Sequence, residues 1–148
     1  MARMRRWWAV VAASVMAVVL CTACSPSSGK GEDADATTVV SAVTSADARV
    51  VSATAEQGVS GSSFGWIVDV TVSGEDPVTS DELSALLLAA RHAGTRDPGH
   101  VDLYAKSQAG ASLDLTAAAD QLGIRYVTIG DGIGVVRDAI DDTLGTGR

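Results

Sequence analysis

The chain has two histidines, His92 and His100, with Asp97 between them. Zinc is held by three or four protein ligands in tetrahedral array, so two imidazoles and one carboxylate make a thin set. His92, next to Arg91 at the end of a predicted helix, has a plainer role as a cation favoured by the helix dipole. Ser-His-Asp catalysis lacks its usual marker. The nearest approach to a nucleophile elbow, Gly58-Val59-Ser60-Gly61, misses the final spacing and falls in a predicted hairpin. Gly130-Asp131-Gly132-Ile133-Gly134 puts backbone amides ahead of a predicted helix, where an anion can sit. It lacks the GxGxxG spacing and a lysine, and Asp131 repels phosphate, so Asp131 is read as a helix cap and the glycines as a turn. Asp138, Asp141 and Asp142 share the same predicted helix. Calcium requires six to eight oxygens from a wrapping loop, so these acids are read as a solvated face, with Arg137 pairing Asp141 at i, i+4. No metal and no cofactor is expected. One set of residues remains: Asp69 and Thr71 with Asp102, Tyr104 and Lys106, which line the wet side of a predicted sheet. They are the candidate binding face, and the plain alternative is an ordinary solvated sheet surface.

Hydrophobic periodicity predicts the elements that carry these residues. Phe64, Trp66, Val68, Val70 and Val72 alternate with Gly65, Ile67, Asp69, Thr71 and Ser73. Period two over such a run marks a strand with one buried face. Arg49 to Glu56 is the predicted partner in a hairpin, joined through a turn-rich stretch from Gln57 to Ser63. Thr79-Ser80-Asp81-Glu82 forms a capping box, with Val78 and Leu83 placed as a staple. Leu83, Leu86, Leu87 and Ala90 then carry a helix over 80–93, which stops at Gly94. From His100 to Lys106 alternation returns, with Val101, Leu103 and Ala105 inward. Ser112 to Leu115 is predicted as a short strand, Thr116 to Leu122 as a brief helix capped by Thr116, and Arg125 to Ile129 as a last strand. A closing helix is predicted over 133–144, with Ile133, Val136, Ile140 and Leu144 as its apolar stripe. Thr37 to Ala46 fits a short helix or a strand. The expected fold is α+β: a two-layer sandwich with a mostly antiparallel sheet of four or five strands and two main helices, 80–93 and 133–144, on one face.

Composition narrows the partners. Three of the eleven basic residues are Arg3, Arg5 and Arg6, so the chain beyond them has 8 basic against 18 acidic residues, or −10. Such a surface repels phosphate backbones, which excludes nucleic acid as an expected partner. Both cysteines, Cys21 and Cys24, precede the predicted domain. No disulfide is therefore expected to staple it, and no thiolate is available there as a nucleophile or ligand.

The strongest signal lies at the front. Arg3, Arg5 and Arg6 precede fourteen uncharged residues from Trp7 to Leu20, and Ala23 stands just before Cys24. A cationic start, a short apolar middle and a small residue before the cleavage point make an export signal. Ala23-Cys24 after that run resembles the lipobox of bacterial lipoproteins. The resemblance implies that Cys24 is acylated and becomes the mature N-terminus. The expected organisation is a signal peptide over 1–23, a lipidated Cys24 with a flexible tether over 24–36, and a single small domain over 37–148. Removing 23 residues from 148 leaves 125, enough for one modest core. Two other outcomes stay open for the apolar run: an uncleaved anchor, since a bilayer needs about 20 residues of helix, and plain secretion after Ala23. The expected location is the outer side of the cell membrane, held through a lipid. The function expected is a lipid-anchored extracytoplasmic binding or accessory module. A small cell-envelope hydrolase and an accessory subunit of a membrane-protein complex are the alternatives.

Overall fold

The alternating stretch forms β2 (Ser63–Val72), an inner strand of a five-stranded sheet in a computed structural model that describes residues 30–145. The elements run α1 (Lys30–Ala46), β1 (Val50–Ser60), β2, α2 (Ser80–His92), β3 (His100–Ser107), α3 (Thr116–Leu122), β4 (Val127–Ile129), β5 (Gly132–Val136) and α4 (Arg137–Leu144). The sheet order is β1-β2-β3-β5-β4. Neighbours are antiparallel except β2 and β3, which run parallel. The class is α+β, with a mixed sheet. A parallel pair needs a crossover of a dozen or more residues, and the segment holding α2 supplies it between β2 and β3.

The period-two pattern decides which side chains are buried. Trp66, Val68 and Val70 of β2 and Val101 and Leu103 of β3 are almost wholly buried. They join Leu83, Leu86, Leu87 and Ala90 of α2, which recur at helical spacing. Burial of such a side chain contributes roughly 1.5–3 kcal/mol. The helix starts as its capping box requires: Thr79 accepts from the Glu82 amide at 3.3 Å, and the Thr79 amide donates to Glu82 at 2.7 Å.

Boundaries and one cap differ from the sequence expectation: β1 runs on to Ser60 rather than ending at Glu56, and β4 starts at Val127 rather than Arg125. Residues 133–144 are not one helix: Gly132–Val136 is β5, and only Arg137–Leu144 is helical. Ile133, Gly134 and Val135 are all buried in β5 between β3 and β4, so no polar alternation marks the strand. A glycine inside a helix costs about 1 kcal/mol relative to alanine, and β-branched neighbours also disfavour helix. The tether ends earlier than 36, because α1 starts at Lys30. Asp35, Val39 and Val43 fall on one stripe of α1, all buried. The Asp35 carboxylate accepts from the Thr95 amide and hydroxyl at 3.0 and 3.1 Å, which fastens α1 to the loop after α2. Residues 24–29 of the expected tether lie outside the described residues. Finally, Thr116 does not cap α3 with its own side chain; Asp114 accepts from the Thr116 amide and hydroxyl. Ser112 forms only an isolated bridge with Lys106.

Two arginines hold the periphery. Arg49 donates to the carbonyls of Ser73 and Asp76 and pairs with Glu82 at 2.9 Å. It thereby ties the start of β1 to the loop entering α2. Arg91, a buried cation on α2, donates to both oxygens of Asp141, at 3.2 and 3.0 Å, and to Asp97. Arg137 reaches Asp97 at 3.3 Å and Asp138 at 3.2 Å rather than Asp141. Asp141 is therefore a structural partner, not part of a solvated acidic face.

Burial pushes the Glu82 carboxyl up, but hydrogen bonds from Thr79 and Arg49 and the Arg49 charge outweigh it and leave the pKa below the ordinary 4.5. A lowered folded-state pKa contributes stability that is fully present above the unfolded value and lost as pH falls through the folded one. Glu82→Gln is expected to flatten part of the acid limb of stability below about pH 4.5, as read by denaturant midpoints across pH. An unchanged acid limb would count against this linkage.

Among the described residues no helix is long and apolar enough to cross a membrane. The export stretch, with Cys21 and Cys24, lies outside them.

Candidate functional site

Residues alternating with the core positions of β2 and β3 point to the opposite side of the sheet, and register brings the candidates together. Asp69 pairs with Tyr104 and Thr71 with Lys106 across the parallel ladder, and Asp102 pairs with Ile67. All are half-buried except Lys106, which is exposed. The five residues Asp69, Thr71, Asp102, Tyr104 and Lys106 therefore form one contiguous patch. Burial, followed by the charges of Asp102, Asp69 and Asp131, pushes the Tyr104 phenol up.

At one end this face deepens into a cleft of about 250 Å³ lined by Ser60, His100, Asp102, Tyr126 and Ile129, among others. Gly134 leaves the cleft open, and Gly65 makes room for the His100 ring, since a β-carbon there would collide with it. One on Gly134 would sit 2.9 Å from the Asp102 Oδ1 and 2.5 Å from the Ile129 Cδ1. Val127 and Val136, 63% and 55% exposed, supply apolar walls with Ile129 and Val135.

Asp102 has the unusual environment. Burial pushes its pKa above the ordinary aspartate value, with the charge of His100 working the other way. A carboxylate is desolvated at a cost unless donors or a cation face it. Among the described residues no hydrogen bond reaches it. Arg125, at the rim, is 77% exposed and stands 3.8 Å from Asp142 instead.

The other sequence candidates scatter. His92 is exposed at the end of α2 and does not line the His100 cleft. Asp97 is occupied by Arg91 and Arg137. Among the described residues no group of three His, Cys, Asp or Glu side chains is placed to hold a metal. Asp131 does not cap a helix; it sits in the β4–β5 hairpin, accepting from the Ser112 hydroxyl. A second hollow, of about 260 Å³, lies beside that hairpin. Its carboxylates are already satisfied, Asp131 by Ser112 and Asp114 by Thr116.

Residues the sequence reading did not assign to the face are His100, Tyr126, Ile129 and Gly134. His100 carried a usable signal, since it shares the parity of Asp102 and Tyr104 in the same alternating run. Tyr126, Ile129 and Gly134 carried none, because their place depends on β4 and β5 folding back beside β3. Comparison with protein-family models, with characterised proteins and with solved structures finds no match to this chain.

Proposed function

We propose that the protein is a lipid-anchored binding module facing outward from the cell membrane. Cys24 holds the anchor, and the sheet face of Asp69, Thr71, Asp102, Tyr104 and Lys106 receives the ligand. The observation that supports binding is the cleft at the end of that face, where the half-buried Asp102 carboxylate has no hydrogen bond among the described residues. Concave, mainly apolar sites with a few placed polar groups are the usual form of small-molecule pockets. The run Trp7–Leu20 followed by Ala23-Cys24 supports the location, and the acidic surface keeps nucleic acid away.

A hydrolase is the second reading, favoured by Ser60, His100 and Asp102 lining one cleft. Against it, none of the three hydrogen-bonds another, whereas a triad requires the serine on the imidazole and the imidazole on the carboxylate.

The anchor is tested by labelling cells with palmitate. Label is expected on the wild-type chain and absent from Cys24→Ala, and globomycin is expected to make the precursor accumulate. Equal labelling of the two chains would sink the anchor.

A further inference from the structure

The cleft beside Asp102 has a specific chemistry. Its carboxylate is held between the strands with Gly134 beneath it, and no donor of the described chain satisfies it. The walls are apolar: Val127, Ile129, Val135 and Val136, with the Tyr126 ring at the edge. The groups that face it are His100 and Tyr104 on β3 and Asp69 on β2, with Arg125 at the rim drawn toward Asp142. His100 is the group whose charge reaches Asp102, and no hydrogen bond accompanies it among the described residues. The surrounding domain is strongly acidic, which raises the local concentration of cations and lowers that of anions.

We propose that this cleft binds a small organic amine, its ammonium group on the Asp102 carboxylate and its apolar body against Val127, Ile129 and Val136. This deepens the binding-module reading and rests on it. Charge-assisted hydrogen bonds are the strongest available to such a ligand. An ammonium also supplies the donors that Asp102 lacks. A volume of about 250 Å³ is below the roughly 300–1,000 Å³ of drug-sized sites, so the occupant is a compact molecule rather than a folded partner. Gly134 sets the depth of the site, because any side chain there would meet the carboxylate.

The test is calorimetric titration of the full chain in detergent with benzylamine, benzyl alcohol and benzoate, which share a ring and differ in head-group charge. Benzylamine is expected to bind at least about tenfold more tightly than either of the others. Asp102→Asn is expected to remove that preference while leaving the unfolding midpoint unchanged or raised, since it removes the charge of a half-buried carboxylate. Glu75→Gln, an exposed carboxylate in the loop after β2 and outside the cleft lining, is expected to leave benzylamine affinity unchanged. Benzoate or benzyl alcohol binding as tightly as benzylamine would overturn the amine while preserving a binding cleft. Absence of saturable binding by all three probes would overturn the amine and remove the main support for the binding face. Undiminished benzylamine affinity in Asp102→Asn would overturn the site. Palmitate labelling is independent of every one of these outcomes, so the anchor and the ligand fail separately.

Discussion

Trp66→Ala is expected to destabilise the domain by about 3–5 kcal/mol. Trp66 is 1% exposed and stands at the meeting of β2 with the helices. Its ring meets Phe64 edge-on, centroids 5.1 Å apart at 78°, and the Arg96 guanidinium lies 3.9 Å above Phe64. Removing the indole opens a cavity and loosens that stack. Against a typical total of 5–15 kcal/mol, this is a large share. The comparison that isolates size from polarity is Trp66→Phe. The indole Nε1 is buried without a hydrogen-bond partner among the described residues, and an unsatisfied buried donor costs about 1–3 kcal/mol. Phenylalanine loses volume but also removes that donor, so its cost is expected to be well below that of alanine. Urea unfolding of the three chains checks the order. Equal losses for Phe and Ala would show that a smaller ring recovers nothing and that the unpaired donor costs nothing.

The second large effect is expected at Asp141. Arg91 is 7% exposed, and Asp141 receives two of its hydrogen bonds. Breaking a buried pair by removing one partner costs about 3–5 kcal/mol, because a desolvated charge is left behind. Asp97 still reaches the Arg91 Nη1, so Asp141→Ala should fall near about 3 kcal/mol. Replacing both residues, Arg91→Met with Asp141→Ala, removes the stranded charge and is expected to recover much of the loss. A double-mutant cycle on thermal or urea midpoints measures this coupling. Strict additivity would show that the two side chains do not act as a pair. The same network gives the inner carboxylate of the acidic helix a guanidinium partner.

Local chemistry could be read along the chain wherever one residue's neighbours in sequence are also its neighbours in space. The capping box at Thr79 and Glu82 needs residues three apart, and the leucine stripe of α2 needs them three and four apart. Both stand where the pattern puts them. The alternation of Phe64–Val72 and Val101–Ala105 likewise separates core from open face without knowledge of strand order. The candidate face was legible for the same reason: parity alone puts Asp69 and Thr71 opposite the core of their strand, and Asp102, Tyr104 and Lys106 opposite the core of theirs.

Where a segment is buried on both sides, that logic fails. Ile133, Val136, Ile140 and Leu144 fit a helical stripe, yet Gly132–Val136 is a strand because β3 and β4 close on it from either side. The arginine partners are long-range too: Arg91 and Asp141 are fifty residues apart, and Asp35 and Thr95 are sixty apart. The expectation of an export signal ending at Cys24 rests on residue types alone, so it can be read without a fold. The parallel pairing of β2 with β3 and the cleft around Asp102 are different in kind. They exist only because distant segments converge, and the glycine at 134 leaves room that its own neighbours in sequence do not predict.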